Sequence, residues 1–268
     1  VTESPVELRA DCTQCFALCC VALPFTRSAD FAVDKAAGEP CGHLQDDFGC
    51  GVHGKLRDVG FRGCTSFDCF GAGQRVSQET FGGRDWRAHP ETAGAMFQTL
   101  PVMRALHELL WYLADIEERP ETASLHAEAR ALHREIGETA QKDADSLATV
   151  DLDGLRGSIG PFLTRASEMV RGSVGGRLKS RQHLQLMGAN LSGARLSGVS
   201  FRGSLLIAAD LRKADLRYAD LLGADLRDAD LSEADLTGAV FVTQSQINSA
   251  RGSAGTALPA RVERPAHW

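Results

Sequence analysis

Eight cysteines lie between residues 12 and 69, and the rest of the chain has none. They run Cys12-x2-Cys15-x3-Cys19-Cys20, then Cys41 beside His43, Cys50 beside His53, and finally Cys64 and Cys69. Two thiolates two residues apart can reach one ion from a single turn, and a later pair can complete a tetrahedral shell. Thiolate-rich shells suit zinc or an iron–sulfur cluster. The eight thiols could serve two four-ligand sites or one site with spares. His43 and His53 are weaker candidates, since each could equally be a loop residue or a donor outside the ligand shell. A buried cysteine can also be a small hydrophobe, the competing reading for Cys20 inside the apolar Leu18–Leu23 stretch. The start, Val1-Thr2-Glu3-Ser4-Pro5, lacks a basic n-region and a long apolar run, so a cytoplasmic location is expected. There disulfides are disfavoured and clustered thiols point to metal or redox chemistry. The longest uncharged apolar stretch, Cys15 to Phe25, is too short to span a bilayer, so no membrane association is expected.

The segment that must position the thiols contains Gly71-Ala72-Gly73, which reads as a turn. It is not a dinucleotide loop, because Val76 stands where a third glycine belongs. From about 88 to 172 the apolar period becomes helical. A short helix over 91–99 is expected to stop at Pro101, and a second carries Met103, Leu106, Leu109, Leu110, Leu113 and Ile116 on one stripe until Pro120. Further helices are expected over about 121–148 and 161–170. His126 and His133, seven apart, form a weaker candidate metal pair, and no nucleophile–base set appears. Residues 171–181, with Gly172, Gly175, Gly176 and basic Arg177, Lys179 and Arg181, read as a hinge.

Residues 184–243 repeat a five-residue unit twelve times. Its central apolar position is Leu186, Leu191, Leu196, Phe201, Leu206, Leu211, Leu216, Leu221, Leu226, Leu231, Leu236 and Phe241. Two before most of them stands a small residue, usually alanine (Ala189, Ala194, Ala209, Ala214, Ala219, Ala224, Ala229, Ala234, Ala239), and Asp210, Asp215, Asp220, Asp225, Asp230 and Asp235 stand one before. A period of five matches neither helix nor strand, and as an amphipathic helix it would smear the leucines around the whole circumference. Four units to a square turn would point the leucines and alanines inward and the aspartates to water. Glycines such as Gly188 and Gly193 would take corners of positive φ. Twelve units make three turns, roughly 14 Å tall at strand spacing. Thr243-x-x-Gln246 has the form of a capping box, predicting a short helix from near Ser245 that closes the column's end, with Trp268 packing back on it.

The repeat resembles the pentapeptide-repeat family, whose unit is A(D/N)LXX. That resemblance implies a right-handed quadrilateral parallel β-helix. The cysteine pattern CxxC-x3-CC, then C-x8-C-x2-H, resembles the CxxCxxCC family of zinc- or iron-chelating domains over about 10–72. It carries one extra residue between Cys15 and Cys19. The whole chain also resembles actinobacterial-type proteins that join the two segments. The expected fold class is therefore mixed α and β. Its parts are a Cys-rich metal or iron–sulfur domain over 1–75, an α-helical domain and hinge over 76–180, the β-helix over 181–243, and a capping helix and tail over 244–268.

Composition is that of an ordinary soluble protein, 43% hydrophobic and 24% charged, with net charge −6, which weighs against direct nucleic-acid binding. The first functional reading is a binding protein, metal-bearing at one end, whose solenoid is an interaction scaffold for a protein partner. The contact expected is a surface bearing Arg212, Arg217 and Arg227; a homodimer is compatible with it. The pentapeptide-repeat resemblance implies a second reading, a DNA mimic protecting gyrase. Against it, the column would match only about four base pairs. Its eight acidic residues also face six basic ones. The third is a cluster-dependent protein-modifying enzyme, implied by likeness to a flagellin lysine methylase. No cosubstrate loop or base supports it, so the balance favours a protein that is not an enzyme.

Overall fold

The computed structural model describes residues 7–175, 179–180 and 183–268. It divides into two compact units. One comprises the chain up to Cys64, Asp68–Ala114 and Ala127–Ser158; the other comprises Thr65–Phe67, Asp115–His126 and Ile159–Trp268. Part of the expected hinge, residues 176–178 and 181, lies outside the described residues.

In the first unit the cysteine segment is mostly loop, pinned by short elements. These are a 3-10 turn Cys12–Gln14, a helix Leu18–Ala22, two antiparallel bridges (Phe25 with Lys35, Leu44 with Cys50) and a helix Arg62–Ser66. So few regular hydrogen bonds leave aromatic packing to hold the segment. Phe25 stacks on Phe31 with centroids 4.3 Å apart, and both meet the buried Phe61 edge-on. Gly71 adopts positive φ and Ala72–Gln74 then starts a helix, continued as a π-helix over Arg75–Thr80. The Gly71-Ala72-Gly73 stretch is thus a helix start, not a free turn.

The helix Ala93–Glu117 runs unbroken through Pro101, against the expected division there. Pro101 is on the exposed side, where the carbonyl it frees can be hydrated. The predicted apolar stripe is buried: Met103, Leu106, Leu110, Leu113 and Ile116 are all fully covered. The expected 121–148 helix is three pieces, Pro120–Leu125 (3-10), His126–Ala140 and Ala144–Ala148, the last started by the Asp143 side chain accepting from Ser146 N. Leu152–Gly172 is longer than expected and also runs through a proline, Pro161.

In the second unit the repeat is a parallel β-helix. Bridges join residues 20 apart, Asn190 with Asp210 with Asp230, and Arg195 with Asp215 with Asp235. Four five-residue sides therefore make one turn. From Leu196 onward the central residues are buried, with Ala209, Ala214, Ala219, Ala224, Ala229, Ala234 and Ala239 beside them. From Gly188 to Gly238 every corner residue two after the central one has positive φ; Thr243, two after Phe241, is extended and starts the cap. Glycine fills that corner at Gly188 to Gly203, Gly223 and Gly238, while Ala208, Lys213, Tyr218, Asp228 and Glu233 adopt it at φ between 54° and 60°. Stacked aspartates are relieved by arginine: Arg212 pairs with Asp210 at 2.6 Å and reaches Asp230 at 3.9 Å, and Arg217 bridges Asp215 and Asp235 likewise. The hydrogen bonds from Arg212 hold the half-buried Asp210 carboxyl down to about 2.

Two expectations change. Asp220 is not on a solvated face but 1% exposed. It accepts from Ser167 Oγ (2.7 Å), Ser200 Oγ (3.2 Å) and Leu222 N (2.9 Å), with Arg202 3.6 Å away. Helix Leu152–Gly172 supplies Ser167 and covers that side. Arg212, Arg217 and Arg227 do not share one surface either. Residues five apart stand on successive sides, and only residues 20 apart stack.

The predicted capping box forms at Thr243 and Gln246, opening the helix Gln244–Ser249. Beyond it Arg251 and Ala257 add rungs onto Asp230 and Asp235. Gln246 Nε2 donates to the Leu221 and Ala224 carbonyls, and Thr256 Oγ1 to that of Leu231. Trp268 does pack back: its indole N–H donates to Ala250 O, and its ring fills the space over Gly252. The buried Asp115–Arg119 pair finishes the last corner. Arg119 donates to the Gly238 and Ala239 carbonyls and Asp115 accepts from Phe241 N.

Leu216→Asp would bury an unpaired carboxylate mid-column and should cost several kcal/mol. Asp220→Ala strands three donors and should also lower the melting temperature clearly. Asp230→Ala, on an open side, should stay within about 1 kcal/mol. Thermal melts of the three proteins check this order; a mild Leu216→Asp would place the central position outside the column.

Candidate metal centre

The fold draws together thiols that are distant in sequence. Cys12 and Cys15 flank one 3-10 turn, the Cys15 N–H returning to Cys12 O. Cys69 reaches the same place from the other end of the segment: a Cβ added to Gly73 would lie 2.7 Å from Cys15 Sγ and 3.7 Å from Cys69 Sγ. Only glycine lets the helix start approach these two sulfurs. Cys19 and Cys20 follow on the next helix, their sulfurs 3.9 Å apart. Cys41 N–H donates to Cys20 O, Cys50 lies across the bridge from Leu44, and Cys64 sits on the helix Arg62–Ser66.

The electrostatics couple the thiols across the whole segment. Burial pushes Cys12 up, with Cys69 and Cys20 adding to it. Burial likewise raises Cys15 to about 11, against a Leu18 backbone bond, with Cys69 and Cys12 adding. Cys64 is raised to about 12 by burial, then by Cys20, Cys41 and Cys50. Cys19 is raised by its hydrogen bond to Cys20, which is lowered to about 7 by that bond and by Lys35. Lys35 carried no signal in the sequence. It is 8% exposed, and its ammonium donates to the carbonyls of Val21 (3.1 Å), Ala36 (3.0 Å) and Glu39 (2.9 Å).

All eight cysteines are free thiols. Among the described residues, no three His, Cys, Asp or Glu side chains stand around a common point at coordinating distance. What the donor set shows is a chemical fit: soft sulfurs, mutually repelling when ionised, with one fixed cation beside them. A divalent ion deprotonates such thiols outright and cancels the repulsion. The histidines fit less well. His43 is packed edge-on against Phe61 with centroids 4.9 Å apart, and His53 is exposed. His126 spends Nε2 on the Arg119 carbonyl at 2.9 Å.

A family comparison matches residues 185–221 and 204–241 to Pentapeptide repeats, in eight copies. Over 265 residues the chain is 53% identical to a protein described as uncharacterized protein YybG of Bacillus subtilis (strain 168), covering 98% of this chain and 95% of that one. The chain belongs to the same family as YybG. It is a pentapeptide-repeat protein of bacterial type. Solved pentapeptide-repeat structures align over shorter stretches. Rfr23 from the cyanobacterium Cyanothece 51142 is 28% identical over 30% of this chain and 53% of its own, with a TM-score of 0.28. The Nostoc Pcc 7120 protein alr5209 is 34% identical over 31% and 69%, with a TM-score of 0.27. The chain thus spans about half the length of Rfr23. At such TM-scores the fold rests on the rungs and the repeat match. No helix among the described residues is long and apolar enough to cross a membrane.

Beside this centre His107 is fully buried. Its Nδ1–H donates to Phe70 O at 2.7 Å, and burial holds the imidazole down to about 4. The unfolded chain therefore binds a proton that the folded one refuses, and stability should fall as pH drops from about 6.5 toward the folded value. Melts of the full chain at pH 7 and pH 5 should show that loss, and His107→Gln should shrink the difference between them.

Proposed function

We propose that this YybG relative is a metal–thiolate protein whose β-helix serves as a docking scaffold for another protein. The observation that supports the metal reading is the approach of Cys69 to Cys15 beside Gly73, and the electrostatic proximity of Cys64 to Cys20, Cys41 and Cys50, in a segment with almost no regular structure. Partly covered thiols in so loose a segment lack a regular hydrogen-bonded frame, and metal binding supplies folding energy directly. The two groupings, with Cys12 and Cys19 joining the first, would each give four sulfurs. That donor set accepts zinc or an iron–sulfur cluster. The bound group would tie loop to loop; it would also supply redox chemistry if it is a cluster. Lys35 would offset part of the thiolate charge.

The scaffold reading rests on the solenoid, whose open sides hold paired Asp/Arg side chains and no reactive constellation. Such rows give oriented, salt-sensitive recognition. Because Arg212 and Arg217 face adjacent sides, a partner would grip the edge between them. The right-handed coil implied by the repeat belongs to this proposal too.

Protein purified without oxygen should carry stoichiometric zinc, or be brown with broad absorption near 400 nm if it holds a cluster (about that wavelength for such centres). Cys12→Ser with Cys15→Ser should lower bound metal and destabilise the first unit. Metal-free protein that melts as cooperatively as the isolated form would overturn the metal reading. For the scaffold, a partner recovered by pull-down should be lost in Arg212→Glu/Arg217→Glu. Inhibition of gyrase supercoiling by the purified protein, abolished by charge reversal of Asp210 and Asp230, would replace the scaffold with a DNA-mimic role.

A further inference from the structure

The two ends of the β-helix are finished differently. At the C-terminal end Gln246, Thr256, Arg251 and Ala257 occupy the edge. At the N-terminal end nothing comparable is present among the described residues. There Leu205 uses both its backbone groups on Leu184 and Leu186, so the N–H and C=O of Gln185 point away from the column. Asn190 and Arg195 stand in the same way against Asp210 and Asp215. The fourth side alone is continued, by the strand Lys179–Ser180 paired with Val199–Ser200. The apolar column is open here as well: Leu186 and Leu191 are only half-buried, whereas the later central leucines are covered. Leu184 is 42% exposed and Met187 59%.

Charge sets this end apart. Residues 183–203 contain no acidic residue, and all the carboxylates of the repeat lie in the two following turns. Where the later turns carry aspartate, this one has Gln185, Asn190, Arg195 and Ser200. An open edge is ordinarily guarded by charge or proline, and here that guard is reduced to Arg195 on one of the three open sides.

We infer that the N-terminal end of the β-helix is a self-association surface, and that its occupant is a second copy of this chain, stacked end to end about a two-fold axis. A single extended peptide could satisfy one side only. Three successive open sides with an exposed column between them need a partner that is itself a square turn. The strand Lys179–Ser180 makes the end a spiral step, and a spiral ramp is complementary to itself when rotated about an axis perpendicular to its column. The capped C-terminal end cannot take part, so association closes at two copies and builds no filament. With no carboxylate and Arg195 as the charged side chain among Gln185, Asn190, Arg195 and Ser200, the edge lets two copies meet with little like-charge repulsion, while Ser192, Gly193 and Ser197 are small enough for strands to approach at ordinary sheet spacing.

Sedimentation or light scattering of the full chain at micromolar concentration should give twice the chain mass. Hydrogen exchange should show the amides of Gln185, Asn190 and Arg195 protected. Met187→Asp with Ser192→Asp places carboxylates on both facing edges. It should halve the mass and release those amides, while the melting profile at low concentration stays that of the parent. Thr237→Asp, an exposed carboxylate away from this edge, should leave the mass unchanged. A monomeric parent would overturn the inference, and so would a dimer whose mass survives the double substitution or whose edge amides exchange freely.

Discussion

Unpaired backbone is the constraint on which this molecule turns. A β-helix satisfies its N–H and C=O groups only through the coil above and the coil below, so each end turn leaves three or four strands' worth of polar groups without partners. Much of the non-repeat sequence in the second unit answers that need. Gln246 and Thr256 reach carbonyls with side chains, Arg251 and Ala257 reach them with backbone, and Arg119 fills the last corner with a guanidinium already neutralised by Asp115. These groups share no sequence pattern. What they share is a place.

The same need explains where the sequence could be read and where it could not. The repeat is legible because each position has one fate, repeated: central leucine inward, alanine beside it, the corner at positive φ. Asp220 broke the pattern because its partner Ser167 belongs to a helix outside the repeat, and a five-residue rule treats every aspartate alike. Pro101 and Pro161 misled for a different reason. A proline on the solvent side of a helix costs one hydrogen bond that water can replace, while apolar packing on the other side holds the helix together. The capping box at Thr243 was legible since its chemistry is local.

The thiol segment shows the opposite balance. Its residue types announce soft-metal chemistry, yet which sulfur stands beside which depends on loops closing over tens of residues. Spacing could suggest that Cys12 and Cys15 act together. It could not bring Cys69 to them, nor show that Gly73 must be glycine for the approach. Lys35 was invisible for a related reason: a lysine saturated by three backbone carbonyls is created by the fold alone, and isolated lysines in a sequence almost always mean solvent.

The cap has a consequence for how such a protein can change length. Its contacts are addressed to particular sides: Gln246 to the side ending at Leu221 and Ala224, Arg119 to the corner at Gly238. Inserting or deleting one pentapeptide would rotate everything beyond it by a quarter turn and deliver these side chains to the wrong carbonyls. Adding or removing 20 residues, one full circuit of the bridges, returns each to its address. The solenoid's length is therefore quantised in whole turns by its terminus. Gene duplication can lengthen the rod in steps of four repeats far more readily than in steps of one.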